Sequence, residues 1–163
     1  MTFATAAEQH LDDVYAYLVW LTGDRAAAED LAAETFEKAL RLWRRFDARR
    51  GSVRTWLCQI ARSTALDWFR AERRRRSREN VYALRAVERP GEPEFGDGLA
   101  PELERALAAL TPAEREVIAL RVLLELDGGT AARVLGISET ACSTRLSRAL
   151  ARLEREVTSD AVA

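Results

Sequence analysis

The sequence predicts an all-α protein made of two small helical domains joined by a flexible acidic linker. Its 163 residues are rich in Ala, Leu, Arg and Glu, which favour helices. Apolar residues recur at helical spacing, whereas the alternation typical of strands is nearly absent. Residues 77–101 break this periodicity, and the stretch RPGEPEFGDGLAP within them contains three Pro and three Gly. The chain therefore divides into a first domain (1–76), the linker, a second domain (102–158) and a tail (159–163) expected to be disordered.

The first predicted helix lies within EQHLDDVYAYLVWL, where apolar residues at helical spacing are Leu11, Val14, Tyr15, Leu18 and Leu21. Gly23 is a stop signal, and Asp24 is suited to cap a second helix over residues 25–46. The buried stripe of that helix is predicted to comprise Ala32, Phe36, Leu40 and Trp43. Its opposite face is acidic and carries Asp30, Glu34 and Glu37.

Gly51 breaks the chain before a third helix, predicted over residues 53–76 with Ser52 as its cap. Its inward positions are Trp56, Leu57, Ile60 and Thr64.

In the second domain, TPAE is a predicted capping box in which Thr111 caps the helix and Glu114 reaches back. A short helix, a turn at Gly136 and a last helix from Ser138 to about residue 157 then form a predicted helix-turn-helix. Gly128 and Gly129 at the start of its first helix cost about 1 kcal/mol each if helical, so a late or frayed start is expected.

Charge is distributed in blocks that the net charge of −1 conceals. Residues 1–40 hold eight acids against Arg25 and Lys38. Residues 41–78 hold thirteen arginines against three acids, a local net charge of +10. A block of one sign is the electrostatic footprint of a polyanion site, so this segment is predicted to contact nucleic acid. In the last helix, exposed Ser, Thr and Arg side chains suit contacts with DNA bases and phosphates.

Other function classes find little support in the residues. No run of apolar residues approaches the ~20 that a membrane span needs, and the N-terminus lacks the features of a signal peptide. A cytoplasmic protein without membrane insertion is therefore expected. Cys58, Cys142 and His10 do not have metal-ligand spacing, so no metal or cofactor is predicted. No paired carboxylates or Gly-rich phosphate loop suggests an enzyme.

Three blocks of the chain, in order, resemble the extracytoplasmic-function (ECF) sigma factors, the smallest members of the bacterial sigma-70 family. They are LTGDRAAAEDLAAETFEKAL, GSVRTWLCQIARSTALDWFR and LTPAEREVIALR with LGISETACSTRLSRALARL. The resemblance runs from about Glu8 to Val157. It implies a sigma2-like domain that binds the clamp of core RNA polymerase and melts the −10 promoter element. It also implies a sigma4-like domain that binds the polymerase flap and reads the −35 element in duplex DNA.

The resemblance also assigns residues. Binding of core polymerase, or its support, falls to Asp24, Glu29, Asp30, Glu34, Phe36 and Glu37. Contacts with the −10 region, including capture of a flipped base of the non-template strand, fall to Phe46, Asp47, Arg49, Arg50, Ser52, Arg54, Trp56, Arg62, Ser63, Asp67, Arg70, Arg73 and Arg74. Contacts with the −35 region fall to Ser138, Glu139, Thr140, Ser143, Thr144, Arg145, Ser147, Arg148 and Arg152. An anti-sigma factor is a further implied partner, and it could tether the protein to the membrane from its place at the nucleoid.

Departures from the family pattern predict a distinct −35 preference. Ser143 stands where the family usually has Lys, which removes a phosphate contact, and Ala33 stands where a Gln is usual.

A second interpretation stays open, that of a stand-alone helix-turn-helix regulator with a helical sensor domain. It would bind duplex DNA as a dimer, but no dimerisation heptad is evident. The basic block would also lack a purpose in a sensor domain. A third interpretation is an enzyme or a structural bundle, but no paired carboxylates, metal-ligand spacing or Gly-rich phosphate loop supports an enzyme.

Overall fold

The computed structural model describes residues 1–82 and 92–162, without the side chains of residues 80–82 and 160–162. This part of the chain forms helices and contains no strand, which confirms the all-α prediction. The helices are α1 (Phe3–Thr22), α2 (Arg25–Leu42), α3 (Val53–Tyr82), α4 (Pro101–Ala109), α5 (Pro112–Ile118), α6 (Gly128–Leu135) and α7 (Glu139–Val162). None of the helices in residues 1–82 and 92–162 is both long enough and apolar enough to cross a membrane.

The N-terminal bundle consists of α1, α2 and α3, which all pack against one another. Val14, Tyr17 and Leu18 of α1 are fully buried at its centre. The connection between α1 and α2 follows the sequence-based prediction. Gly23 adopts φ 64° and donates its N–H to the Val19 carbonyl, while the Asp24 carboxylate accepts from the N–H of Ala27 at 3.1 Å. Glycine suits this left-handed position because it lacks a Cβ.

The predicted buried stripe of α2 is partly wrong. The fully buried or nearly buried residues of this helix are Ala28, Leu31, Ala32, Thr35 and Ala39, whereas Leu40 is 58% exposed. The stripe is displaced because small residues let α2 approach α1 and α3 closely, and helical spacing alone does not reveal which face is covered. On α1, Leu11 is also exposed. α2 ends at Leu42, whereas the sequence predicted helix to residue 46. A 3₁₀ turn over Trp43–Arg45 follows instead.

The C-terminal bundle consists of α4 to α7, with α7 packed on α4, α5 and α6. Gly136 at φ 67° ends α6, and Ile137 donates its N–H to the Ala132 carbonyl at 3.0 Å, a Schellman ending. The Ser138 hydroxyl then accepts from the N–H of Ala141 at 3.1 Å. The turn and cap of the predicted helix-turn-helix are therefore confirmed.

Helix starts in this bundle differ from prediction in two details. Thr111 caps α5 as expected, but the Glu114 carboxylate pairs with Arg152 at 2.8 Å instead of reaching back. α6 begins at Gly128 without delay, because Asp127 caps it by accepting from the N–H of Thr130 at 2.8 Å. Gly129 leaves room for the start of α7, since a Cβ there would lie 2.7 Å from a Glu139 carboxylate oxygen.

Two predicted boundaries, the start of the linker and the start of the tail, differ from the structure. α3 continues to Tyr82, past the predicted linker start at residue 77, supported by Arg75 ion pairs to Glu72 and Glu79. Residues 83–91 of the predicted linker lie outside the described residues. α7 continues to Val162, into the tail expected to be disordered, because no Gly or Pro interrupts it; Ala163 lies outside the described residues.

Residues 92–100 have no helix or strand, yet they pack against the N-terminal bundle. Phe95 is 2% exposed, and its ring lies 3.1 Å from where a Cβ on Gly23 would stand. Arg25 pairs with Glu94 at 2.9 Å and with Asp97 at 2.6 Å. Buried side chains of the two bundles and Phe95 form one continuous cluster, so this segment and both bundles share a core.

Replacing Glu125 by Gly is expected to stabilise the protein. Glu125 follows the π-helical turn Ala119–Leu123, is exposed, and adopts φ 53°, the one positive φ outside glycine within residues 1–82 and 92–162. A side chain in this conformation costs about 1–2 kcal/mol, and glycine loses about half of that gain through unfolded-chain entropy. We expect the free energy of unfolding in urea to rise by about 0.5–1 kcal/mol. Glu125→Ala keeps the Cβ and is the control; an equal gain for Ala would contradict the explanation.

Candidate nucleic-acid interface

An aromatic cluster follows α2 at the start of the predicted −10 site. Trp43 and Phe46 stack with ring centroids 5.5 Å apart, and Phe46 lies 5.3 Å from Trp56 of α3. Beside them opens a cleft of about 350 Å³ whose polar lining includes Arg50 and Gln59. An apolar ring surface with a polar rim is what an unstacked base requires.

The loop over this cleft is held by its own polar groups. The Asp47 carboxylate accepts from the Arg49 N–H and from two guanidinium nitrogens of Arg49, each at 3.0 Å. These hydrogen bonds, the side-chain ones first, lower the pKa of Asp47, so the carboxylate stays charged. Ser52 caps α3 by accepting from the N–H of Thr55 at 3.1 Å. Asp47 and Ser52 therefore shape the loop, and Arg49 and Arg50 stay exposed at its tip.

The predicted −10 residues on α3 differ in exposure. The exposed group comprises Ser63, Asp67, Arg70, Arg73 and Arg74. Arg54 and Arg62 are partly buried instead. Arg54 pairs with Asp13 at 3.0 Å and donates to the Leu124 carbonyl of the C-terminal bundle, and Arg62 pairs with Glu116 at 3.1 Å.

The predicted polymerase-binding acids lie on α2 and at its N-cap. Asp24, Glu29, Asp30, Glu34 and Glu37 are all exposed, while Phe36 is partly buried against the core. Glu34 pairs with Lys38 at 2.8 Å and Glu37 with Arg41 at 3.4 Å. Exposed pairs of this kind contribute little stability, so these acids are accessible to a partner at small cost.

The predicted −35 residues lie along α7. Ser138, Glu139, Thr140, Ser143, Thr144, Ser147 and Arg148 are exposed, and Arg145 is partly buried beside the N-terminal bundle. Arg152 differs from the others, because it joins α7 to the rest of its bundle. It pairs with Glu114 at 2.8 Å and donates to the Ala109 carbonyl at 2.8 Å.

Sequence reasoning missed the residues that join the two bundles. Glu116 of α5 is 4% exposed; its carboxylate accepts from the Tyr17 hydroxyl at 2.6 Å and from Arg62. Arg115 donates to four main-chain carbonyls, and Arg133 of α6 donates to the Arg50 carbonyl at 3.3 Å. The available signal was the Arg115–Glu116 pair within α5, directly before the apolar run VIAL, which places two opposite charges in a buried part of the helix.

Burial is the largest cause of the pKa shifts of Tyr17 and Arg115 where the two bundles meet. It raises the pKa of Tyr17 well above its ordinary value, with the charge and hydrogen bond of Glu116 adding to the effect. It lowers the pKa of Arg115 to about 10, so the guanidinium remains charged at neutral pH. Tyr17 therefore acts as a neutral donor to Glu116, and Arg115 as a cation among carbonyl oxygens.

Two family models match the chain, one on each bundle. The Sigma-70 region 2 model matches residues 6–75, and the Sigma-70 region 4 model matches residues 101–153. The ECF RNA polymerase sigma factor SigM of Bacillus subtilis is 30% identical over 158 residues, which cover 94% of each chain. The chain belongs to the ECF sigma factors of the sigma-70 family.

Two further likenesses agree with this family. The chain is 35% identical over 162 residues to the ECF sigma factor BldN of Streptomyces coelicolor; the match covers 98% of this chain but 61% of BldN. The solved structure of the sigma factor RpoE with the anti-sigma factor NepR, from Bartonella quintana, has a TM-score of 0.75 at 24% identity. That match covers 97% of this chain and 98% of the other, and it supports the two-bundle fold.

Replacing Arg152 by Ala is expected to destabilise the fold. The change removes a charged hydrogen bond to Ala109 and leaves Glu114, whose second carboxylate oxygen is already buried and unpartnered, without its ion pair. We expect the free energy of unfolding to fall by about 1–2 kcal/mol. Arg148→Ala, one turn earlier on the exposed face, should change it by less than about 0.5 kcal/mol. Equal effects of the two substitutions, measured by urea denaturation, would remove the structural role given to Arg152.

Proposed function

We propose that this chain is a sigma factor that binds core RNA polymerase and directs it to specific promoters for transcription initiation. The observation that carries the proposal is the match of the chain, in order, to sigma-70 regions 2 and 4. An acidic exposed face on α2 and an arginine-rich α3 support it, since one small bundle can then contact a protein and DNA at different surfaces. Such a subunit is not itself an enzyme, because catalysis belongs to the polymerase.

The residue assignments belong to the same proposal. The acids of α2 contact the polymerase clamp, and the cleft between Phe46 and Gln59 receives a base of the −10 strand. The exposed arginines of α3 contact the backbone of that strand, which makes the affinity dependent on salt. The exposed hydroxyls of α7, with Arg148, contact the −35 duplex, and the C-terminal bundle contacts the polymerase flap. The functional domains are residues 1–76 and 102–158.

An anti-sigma factor is a further proposed partner. The sigma factor RpoE of Bartonella quintana, to whose structure this chain is similar, is found in a solved complex with the anti-sigma factor NepR. We place the protein in the cytoplasm at the nucleoid, where polymerase acts, or at the membrane through such a partner.

Run-off transcription with purified core polymerase tests the proposed function. Promoter fragments from the host genome are the templates, and core polymerase without the chain is the control. Discrete transcripts are expected only when the chain is added. A stand-alone regulator would instead bind a palindromic duplex tightly by itself and add no transcript, which would contradict the proposal.

Ser143→Lys is expected to strengthen binding to a −35 duplex. The exposed Ser143 lies near the start of α7, so a lysine there adds one phosphate contact. The slope of log affinity against log salt should steepen by about 0.9 for the holoenzyme. Ser159→Lys, near the far end of the same helix, is the matched control. An unchanged slope for Ser143→Lys would contradict the placement of α7 on DNA.

A further inference from the structure

A cavity of about 630 Å³ opens where α3 faces α5 and α7. Its volume is in the range of sites that enclose a small organic ligand. The N-terminal bundle supplies one wall, which includes Leu66, Trp68 and Phe69, and the C-terminal bundle supplies the other, which includes Arg145. Its lining residues all differ from those of the cleft beside Phe46. The cavity is therefore a second concave site of the protein.

The wall that the N-terminal bundle supplies is apolar and aromatic. Trp68 and Phe69 are both partly buried, and their ring centroids lie 5.0 Å apart in an edge-to-face arrangement. The buried residues Leu21 and Ala65 line the same cavity. Aromatic side chains that line an open cavity can pack against a flat aromatic ligand. This wall therefore favours a ligand with an aromatic body.

Three arginines with no partner in the protein also line the cavity. Arg73 and Arg76 are exposed on α3, and Arg145 is partly buried on α7. None of the three forms an ion pair or a side-chain hydrogen bond with any group in residues 1–82 and 92–162. Arg75, by contrast, pairs with Glu72 at 2.7 Å. The three guanidiniums are therefore available to an anion.

The remaining charged groups of the lining are satisfied within the protein. Glu116 pairs with Arg62 at 3.1 Å, and Arg115 donates to four main-chain carbonyls. Five arginines and two glutamates line the cavity, which gives the lining a net charge of +3. A phosphate group carries up to two negative charges and offers three acceptor oxygens, so it matches several guanidiniums better than a carboxylate does. The lining therefore favours a phosphate over a carboxylate.

We propose that this cavity binds a small soluble molecule that has an aromatic body and a phosphate group. The aromatic body packs on Trp68 and Phe69, and the phosphate accepts charge-assisted hydrogen bonds from Arg76 and Arg145. Because these two arginines belong to different bundles, the ligand contacts both bundles at once. Binding at this site requires neither polymerase nor promoter DNA, so it is measured on the free chain.

Isothermal titration calorimetry of the full chain with 1-naphthyl phosphate tests the site. Inorganic phosphate and 1-naphthol are the controls, since each carries one half of the probe. We expect 1-naphthyl phosphate to bind about tenfold more tightly than either half, because only the whole probe uses the aromatic wall and the arginines together. Equal affinity for 1-naphthyl phosphate and inorganic phosphate would indicate charge attraction alone and would overturn the proposal, as would no binding of 1-naphthyl phosphate.

Arginine variants locate the bound probe. Arg76→Ala and Arg145→Ala should each weaken binding of 1-naphthyl phosphate about tenfold, since each removes one charge-assisted contact. Arg74→Ala and Arg148→Ala are the matched controls, because they remove the same charge from exposed positions of α3 and α7 outside the cavity lining. The controls should change the affinity by less than about twofold.

Equal losses of affinity in all four variants would reduce the effect to net charge and overturn the proposal. Circular dichroism verifies that each variant is folded. If Arg145→Ala is not folded, the exposed pair Arg76→Ala and Arg74→Ala carries the comparison by itself, and equal affinities for these two variants would overturn the proposal.

Discussion

The arrangement of the two bundles depends on the guanidinium of Arg115. The last carbonyls of a helix have no partner within the helix and carry partial negative charge. Arg115 donates to such carbonyls at the ends of α1 and α4, and the Phe95 ring lies 5.0 Å from its guanidinium carbon. One side chain thereby joins the N-terminal bundle, the C-terminal bundle and the segment between them.

A polar group lies within the apolar core that the two bundles share. Glu116, Tyr17 and Arg62 form a hydrogen-bonded group where an apolar protein core would have aliphatic side chains. A buried ion pair contributes little net stability, because the cost of desolvation offsets most of its attraction, yet it defines one geometry.

Local features of the fold followed from the sequence, and features that depend on packing did not. The caps at Asp24, Thr111 and Ser138 and the turn at Gly136 were predicted correctly, because each is decided by residues within four positions. The burial of Leu40 was predicted wrongly. Helical spacing predicts which apolar residues share a face of the helix, but it does not show which face another helix covers. The Glu114 side chain was also misplaced, since its partner lies 38 residues away on α7.

The sequence by itself determined the helices, the caps at Asp24, Thr111 and Ser138, the helix-turn-helix and the block of arginines, and through its three motif blocks the sigma factor family. These features are short-range, and their signals are carried by neighbouring residues. Only the tertiary structure decided which charged groups meet. Tyr17 and Glu116 are 99 residues apart, and Arg62 and Glu116 are 54 apart. Such contacts arise when the two bundles share a core, so no local pattern could assign Arg62 to Glu116 or divide the arginines of α3 into partly buried and exposed groups.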